Sequence, residues 1–189
     1  MTTKKLDIAK LNKWKSEISS RDIKVALPAL KQIEEIGDMQ VFPLLLNALK
    51  NDPDIQVEKA ILKLIADIQS EEKLSQLFKS IHDENNTSLR LKLLTCVWNS
   101  KQDSSEYLAD VVSLSTEGDF MQALECLTII ENMLGPFTEN QLLEAQLYLK
   151  EYLEGSDKEL DNRKAQLISE IATIVKEQNE GIDADLLLE

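Results

Sequence analysis

The apolar residues of this 189-residue chain recur in register every 32 or 33 positions, and that recurrence narrows the possible folds more than any other feature. Shifted back by 32, Val57, Leu62, Ile65 and Ile68 fall on Val25, Leu30, Ile33 and Ile36. Shifted forward by 32, Val57, Ile61, Leu64 and Ile65 fall on Leu89, Leu93, Cys96 and Val97, and a further step of 33 carries Leu93, Leu94, Cys96 and Val97 to Cys126, Leu127, Ile129 and Ile130. A second stripe repeats beside the first: Phe42, Leu45, Leu46 and Leu49 meet Leu74, Leu77, Phe78 and Ile81. A repeat of this length that carries two apolar stripes is a helix pair that cannot bury its own faces and must stack on its neighbours.

Residues 41–69 show the unit most clearly. Val41, Phe42, Leu44, Leu45 and Leu49 are expected to face inward from a first helix, and Val57, Ala60, Ile61, Leu64, Ile65 and Ile68 from a second. Between them Pro53 ends one helix and is expected to push Asp52 into extended geometry, while Asp54 caps the next. Ten helices follow from the same reading, over about 4–18, 21–36, 39–51, 55–69, 71–83, 87–100, 104–116, 119–134, 138–154 and 157–178. Ser70, Thr87 or Ser88, and Ser104 or Ser105 are N-cap candidates. Thr138 to Gln141 and Ser156 to Glu159 have capping-box spacing, and Gly37-Asp38, Gly118-Asp119 and Gly135-Pro136 are breaks. With only 5 Gly and 4 Pro and with Leu the commonest apolar residue, the chain has few hairpin turns to offer. The expectation is an all-α protein, a right-handed α-α superhelix of five antiparallel pairs. Residues 1–178 form one domain, followed by a frayed or docked tail over 179–189 whose Leu186-Leu187-Leu188 packs on the last helix or serves as a short signal.

Charge is distributed unevenly around a net of -13. Residues 1–31 hold eight Lys or Arg and three acids, whereas residues 102–149 hold nine acids and no Lys or Arg. Most of the chain should therefore repel nucleic acid, whose binding rests on basic side chains neutralising phosphates. The start of the sequence is rich in lysine and has no unbroken apolar run, no segment reaches the length of a membrane span, and a cytoplasmic protein is expected.

At Leu44-Leu45, Asp52-Pro53-Asp54 and Val57 the chain resembles a HEAT or armadillo-type helical repeat, and Leu89-Arg90 echoes the Val-Arg pair of that pattern in the next unit. The resemblance covers roughly residues 21–134. It departs at Glu58 and Ala26, which stand where arginines of an inter-repeat Asp-to-Arg ladder would follow Val57 and Val25. The signature Trp, Gly, Tyr and Pro positions of tetratricopeptide repeats are not seen. The resemblance implies stacked pairs whose second helices line a concave, partner-binding face.

Catalytic chemistry finds little to work with. His82 is the single histidine and sits at a predicted helix end beside Asp83 and Glu84, while Cys96 and Cys126 fall inside predicted helices and read as small, reduced apolar residues. No Gly-rich phosphate loop, metal-ligand spacing or nucleophile-base pair is present, so no enzyme activity, cofactor or metal is expected. A protein or peptide partner, possibly basic, is expected instead on the ladders of the second helices: Lys31, Lys63, Thr95 and Thr128; Glu35, Asp67, Asn99 and Asn132; Glu34, Ala66, Trp98 and Glu131. The residues singled out are Lys31, Lys63, Trp98, Asp119, Glu125 and Glu131, with Trp98 as the possible apolar anchor. The alternative is an anionic surface, nucleic acid or membrane, held by the basic first helix with Trp14. That Trp shares helical spacing with Leu11 and Ile18, and core packing of the helix is the plainer reading.

Overall fold

A computed structural model of the protein describes residues 6–36, 38–70, 72–155 and 162–186, with side chains in the last helix described over 163–179. Ten α-helices and no strand occur among the described residues: α1 (Ile8–Ile18), α2 (Ile23–Glu34), α3 (Phe42–Lys50), α4 (Ile55–Asp67), α5 (Lys73–His82), α6 (Arg90–Asn99), α7 (Leu108–Glu117), α8 (Phe120–Glu131), α9 (Glu139–Glu154) and α10 (Asn162–Leu186). The all-α expectation holds, and the helices fall close to their predicted spans. Three of them are entered through 3-10 turns, at Met39–Val41, Glu84–Leu89 and Ser105–Tyr107, where the periodicity predicted regular helix from 39, 87 and 104. The last helix continues through Asn179 and Gly181, past its predicted end at 178, because one glycine costs only about 1 kcal/mol in a helix interior. Its start at Asn162 leaves the Ser156 to Glu159 capping box, like Gly37, Leu187 and Leu188, outside the described residues.

Contacts gather the chain into two compact units, residues 1–100 and 101–189. In the first, α1 packs on α2 and α3, α3 on α4, and α5 on α6, while α2, α4 and α6 pack in succession as a second layer. The second unit repeats the scheme with two pairs: α7 meets α8 and α9, and α10 meets α8 and α9. The apolar stripes lie between these layers. Ile33, Leu45, Leu49, Ile61, Ile65, Leu77, Leu93 and Val97 are all buried, as their spacing predicts, and Leu142, Ala145, Leu149, Ile168, Ile171 and Val175 close the second unit. Leu44 and Ala60 are only half-buried, at the edges of their stripes.

Aspartates start four of the ten helices and two of the 3-10 turns. Asp7, Asp22, Asp54 and Asp119 cap α1, α2, α4 and α8, and Asp38 and Asp83 cap two of the 3-10 turns, each accepting a backbone N–H two or three residues on. Thr138 and Gln141 form the predicted capping box of α9. Thr87, Ser88, Ser104 and Ser105 do not cap as predicted, because the 3-10 turns move the true start elsewhere: Thr87 donates to the Glu84 carbonyl at 2.7 Å and Ser105 donates to Asp103. Ser70 accepts from Glu72 N at 3.2 Å, ahead of α5. Asp52 is not extended but left-handed, at φ 49°. The proline that follows disfavours the right-handed helical region, and Asp is among the few residues that tolerate this conformation, which ends α3 by turning the chain.

Truncating Ile65, which is 0% exposed between α4 and its neighbours, to Ala should lower stability by about 2–5 kcal/mol. A shift of the urea-unfolding midpoint at unchanged slope would measure it; a change below about 0.5 kcal/mol would show that the residue is not packed as described.

Candidate partner-binding surface

The outward positions of α2, α4 and α6 are largely satisfied by the protein itself. Lys31 is exposed on α2, and Lys63 on α4 reaches Glu34 at 3.1 Å and Asp67 at 3.3 Å. Hydrogen bonds to Glu34 and then to Asp67 hold the Lys63 ammonium above its usual pKa. Glu58, which follows Val57 on α4, accepts from Lys92 of α6 at 2.6 Å in a half-buried pair. Arg90 instead donates Nε to the Ile81 carbonyl at the end of α5, at 3.0 Å. Lys63 to Glu34 and Lys92 to Glu58 thus join the second helices of neighbouring pairs. Ala66 belongs to the core rather than to the outward ladder, since it is 7% exposed at the point where α4 turns into α5. Trp98, at the end of α6, stays 40% exposed.

In the second unit the outward face of α8 is different in kind. Asp119 caps the helix by accepting from Gln122 N at 2.9 Å, and Gly118 before it is needed for space, since a Cβ there would lie 2.7 Å from the Gln122 side chain. The sequence of α8, Phe-Met-Gln-Ala-Leu-Glu-Cys-Leu-Thr-Ile-Ile-Glu, is apolar nearly all round. One helix face cannot cover so many apolar residues: Ala123, Cys126, Leu127, Ile129 and Ile130 go inward, and Met121 and Leu124 are left 45% and 37% exposed. With Thr128 they form an outward row at three- and four-residue spacing, flanked by Glu125 on one side and Glu131 on the other. Thr128 and Asn132 satisfy their own helix, the threonine hydroxyl donating to Leu124 O at 3.0 Å and Asn132 Nδ2 to Thr128 O at 2.7 Å. The same pair recurs 33 residues earlier, in Thr95 to Leu91 O and Asn99 to Thr95 O.

Of the residues singled out by sequence, the structure brings Asp119, Glu125 and Glu131 together on one helix. Lys31, Lys63 and Trp98 belong to the other unit. Met121 and Leu124 were missed, and the signal for them is the excess of apolar residues around α8.

The loop after α8 is tied down. Gly135 takes a left-handed φ of 67°, which favours glycine. The amide of Leu134 donates to Asp103 Oδ1 at 3.2 Å, that of Gly135 to Ser105 Oγ at 2.9 Å, and Gln141 Nε2 to Ser105 O at 3.2 Å. Burial opposes the charge on Asp103, but the donors to its carboxylate, the Ser105 hydroxyl first and then the Leu134 and Ser105 amides, outweigh it and hold the carboxyl below its usual range.

Groups with catalytic potential are scattered. His82 is exposed in the last turn of α5, and Cys96 and Cys126 are buried thiols in no disulfide. Burial, followed by the nearby Glu125 charge, pushes the Cys126 thiol up to about 12, far from a reactive thiolate. No group of three or more His, Cys, Asp or Glu among the described residues is arranged to hold a metal, and no described helix is long and apolar enough to cross a membrane. An open groove of ≈ 540 Å³ between the α1–α2 and α3–α4 turns is lined by Ser19, Ser20, Arg21, Asn51, Asp52 and Asp54 among others. On α1, Lys10, Lys13 and Lys15 are exposed, but Trp14 is 1% exposed, with its indole N–H toward Gln32 at 3.4 Å and Lys10 over its ring at 4.8 Å. Trp14 is core, as its spacing predicts.

Lys73 is the one fully buried base among the described residues. Its ammonium donates to the Ala66 carbonyl at 2.8 Å, in the last turn of α4, where that carbonyl lacks a helical partner, and burial lowers its pKa despite the nearby Asp67 charge.

Comparison with known proteins matches residues 11–96 to the family model described as HEAT repeats, a segment that begins within α1 and ends within α6. No curated protein and no solved structure matches the chain.

Lys73→Met keeps the side chain's bulk but leaves the Ala66 carbonyl unpaired, so stability should fall by about 1–3 kcal/mol in urea unfolding. Cys126 should resist alkylation by iodoacetamide at pH 8 in the folded protein and react once urea unfolds it, as mass spectrometry would read.

Proposed function

The chain is a HEAT-like helical repeat protein, and on that footing we propose that it is a non-enzymatic interaction module that holds a protein or peptide partner of basic character. HEAT-like repeats commonly serve as interaction scaffolds. The observation that carries the reading is the α8 face, where Met121 and Leu124 stand exposed between Glu125 and Glu131 within a stretch, residues 102–149, that holds nine acids and no Lys or Arg. Gathering like charge costs self-repulsion that a basic partner relieves, and a short apolar row supplies the contact that charge alone does not.

The burial of Trp14 removes the aromatic that would anchor α1 in a membrane, so the anionic-surface alternative rests on lysines alone. Liposomes containing phosphatidylserine, and duplex DNA, test it at low salt. Tight, salt-sensitive binding abolished by changing Lys10, Lys13 and Lys15 to Glu would reverse the ranking.

For the leading reading, partners captured by the wild-type protein should be compared with those captured by a Glu125→Lys, Glu131→Lys variant. Association should slow by about tenfold at low salt in the variant and lose its salt dependence. Unchanged association rates at both salts would leave the α8 face without a binding role.

A further inference from the structure

We propose that α9 carries a second docking site, on its outward face, whose occupant is a basic amphipathic helix of a partner protein. Leu142, Ala145 and Leu149 form the inward stripe of α9, buried against the rest of the second unit. Leu143 and Leu147 lie one turn apart on the opposite side of the helix and are 55% and 51% exposed. Single exposed leucines are ordinary on protein surfaces, but two at i and i+4 make the seam into which the apolar residues of a partner helix fit.

The rim of this seam selects the occupant. On a helix the neighbours of Leu143 at three and four residues are Glu139, Asn140, Gln146 and Leu147, and those of Leu147 are Leu143, Glu144, Lys150 and Glu151. Three carboxylates therefore border the leucine pair. The one base, Lys150, lies 3.8 Å from Glu154, which partly neutralises it. A second copy of this chain docked on the same face would set these carboxylates against their own images, and an anionic lipid surface would meet the same repulsion. A helix with Leu, Ile or Met at i and i+4 and Lys or Arg at the flanking positions satisfies both the seam and the rim. The site goes beyond the α8 face. It uses a different helix, and it specifies the secondary structure of the partner as well as its charge.

The probe is a fluorescein-labelled synthetic peptide of about the length of α9, with Leu at i, i+4 and i+7 and Lys on the flanking positions. A scrambled peptide of identical composition and a peptide with Glu in place of Lys are the comparisons. Anisotropy titrations of the full chain at low and high salt should show saturable binding of the first peptide, at least tenfold weaker binding of the scrambled one, and none of the acidic one. Leu143→Gln with Leu147→Gln should weaken binding by about tenfold or more, as truncation of central apolar anchors does. Glu144→Lys with Glu151→Lys should do so chiefly at low salt. Both pairs are on an exposed face, and matching circular dichroism melts would show that the fold is intact.

The inference is overturned if the scrambled peptide binds equally, since net charge then suffices, if no peptide binds, or if the leucine variant binds like the wild type. A Met121→Gln, Leu124→Gln variant separates this site from the α8 face. Loss of the peptide there, with binding kept by the α9 variant, would sink the α9 site and leave the interaction-module reading standing. A wild-type dimer in sedimentation that Leu143→Gln, Leu147→Gln dissolves would name a second copy as the occupant instead.

Discussion

Everything in this protein depends on apolar stripes that no single helix can hide. Ile61 and Ile65 on α4 and Leu93 and Val97 on α6 are at or below 1% exposure only because a first-layer helix and the neighbouring pairs close over them. Helices of ten to thirteen residues such as α4, α5 and α6 would be marginal alone in water. Packing of the stripe, not intrinsic propensity, keeps them folded, and the regular 32-residue spacing of the sequence is the visible trace of that requirement.

That constraint also explains which parts could be read from sequence. Periodicity reports burial, so helix number, approximate spans and the core residues from Ile33 to Val97 were legible. It reports little about how a helix begins: the 3-10 turns before α3, α6 and α7 shift the start by a few residues, and the serine and threonine caps expected before α6 and α7 are replaced by Asp83 and the Asp103–Ser105 contact. The register held one signal that went unread. Val41, Lys73 and Ser105 stand 32 residues apart at the start of successive first-layer helices, and all three are buried. A lysine in the column of a buried valine needs a partner, and Lys73 finds one in the Ala66 carbonyl.

The candidate surface was half legible. Charge counting pointed to the acidic segment that holds α8 and α9, because net charge is a property of sequence. The exposed apolar residues were not found, because a periodicity argument assigns every apolar residue to a core when a helix is rich in them. Met121, Leu124, Leu143 and Leu147 are among the residues left outside when the inward stripes are filled. In the first unit Lys63 and Lys92 lie within reach of the acids of the neighbouring pair, Glu34 and Glu58.

The aspartate caps carry a consequence for how such a chain changes length. Each cap bond joins residues only two or three apart, as in Asp22 to Lys24, Asp54 to Gln56 and Asp119 to Gln122, so a helix's start signal lies within the segment that it starts. Duplicating or deleting a helix pair moves its punctuation with it, and the stripes it brings meet others spaced at the same interval. Such a pair brings its own start signals when copy number changes, and only the contacts between pairs, such as Lys63 to Glu34 and Lys92 to Glu58, have to be made anew.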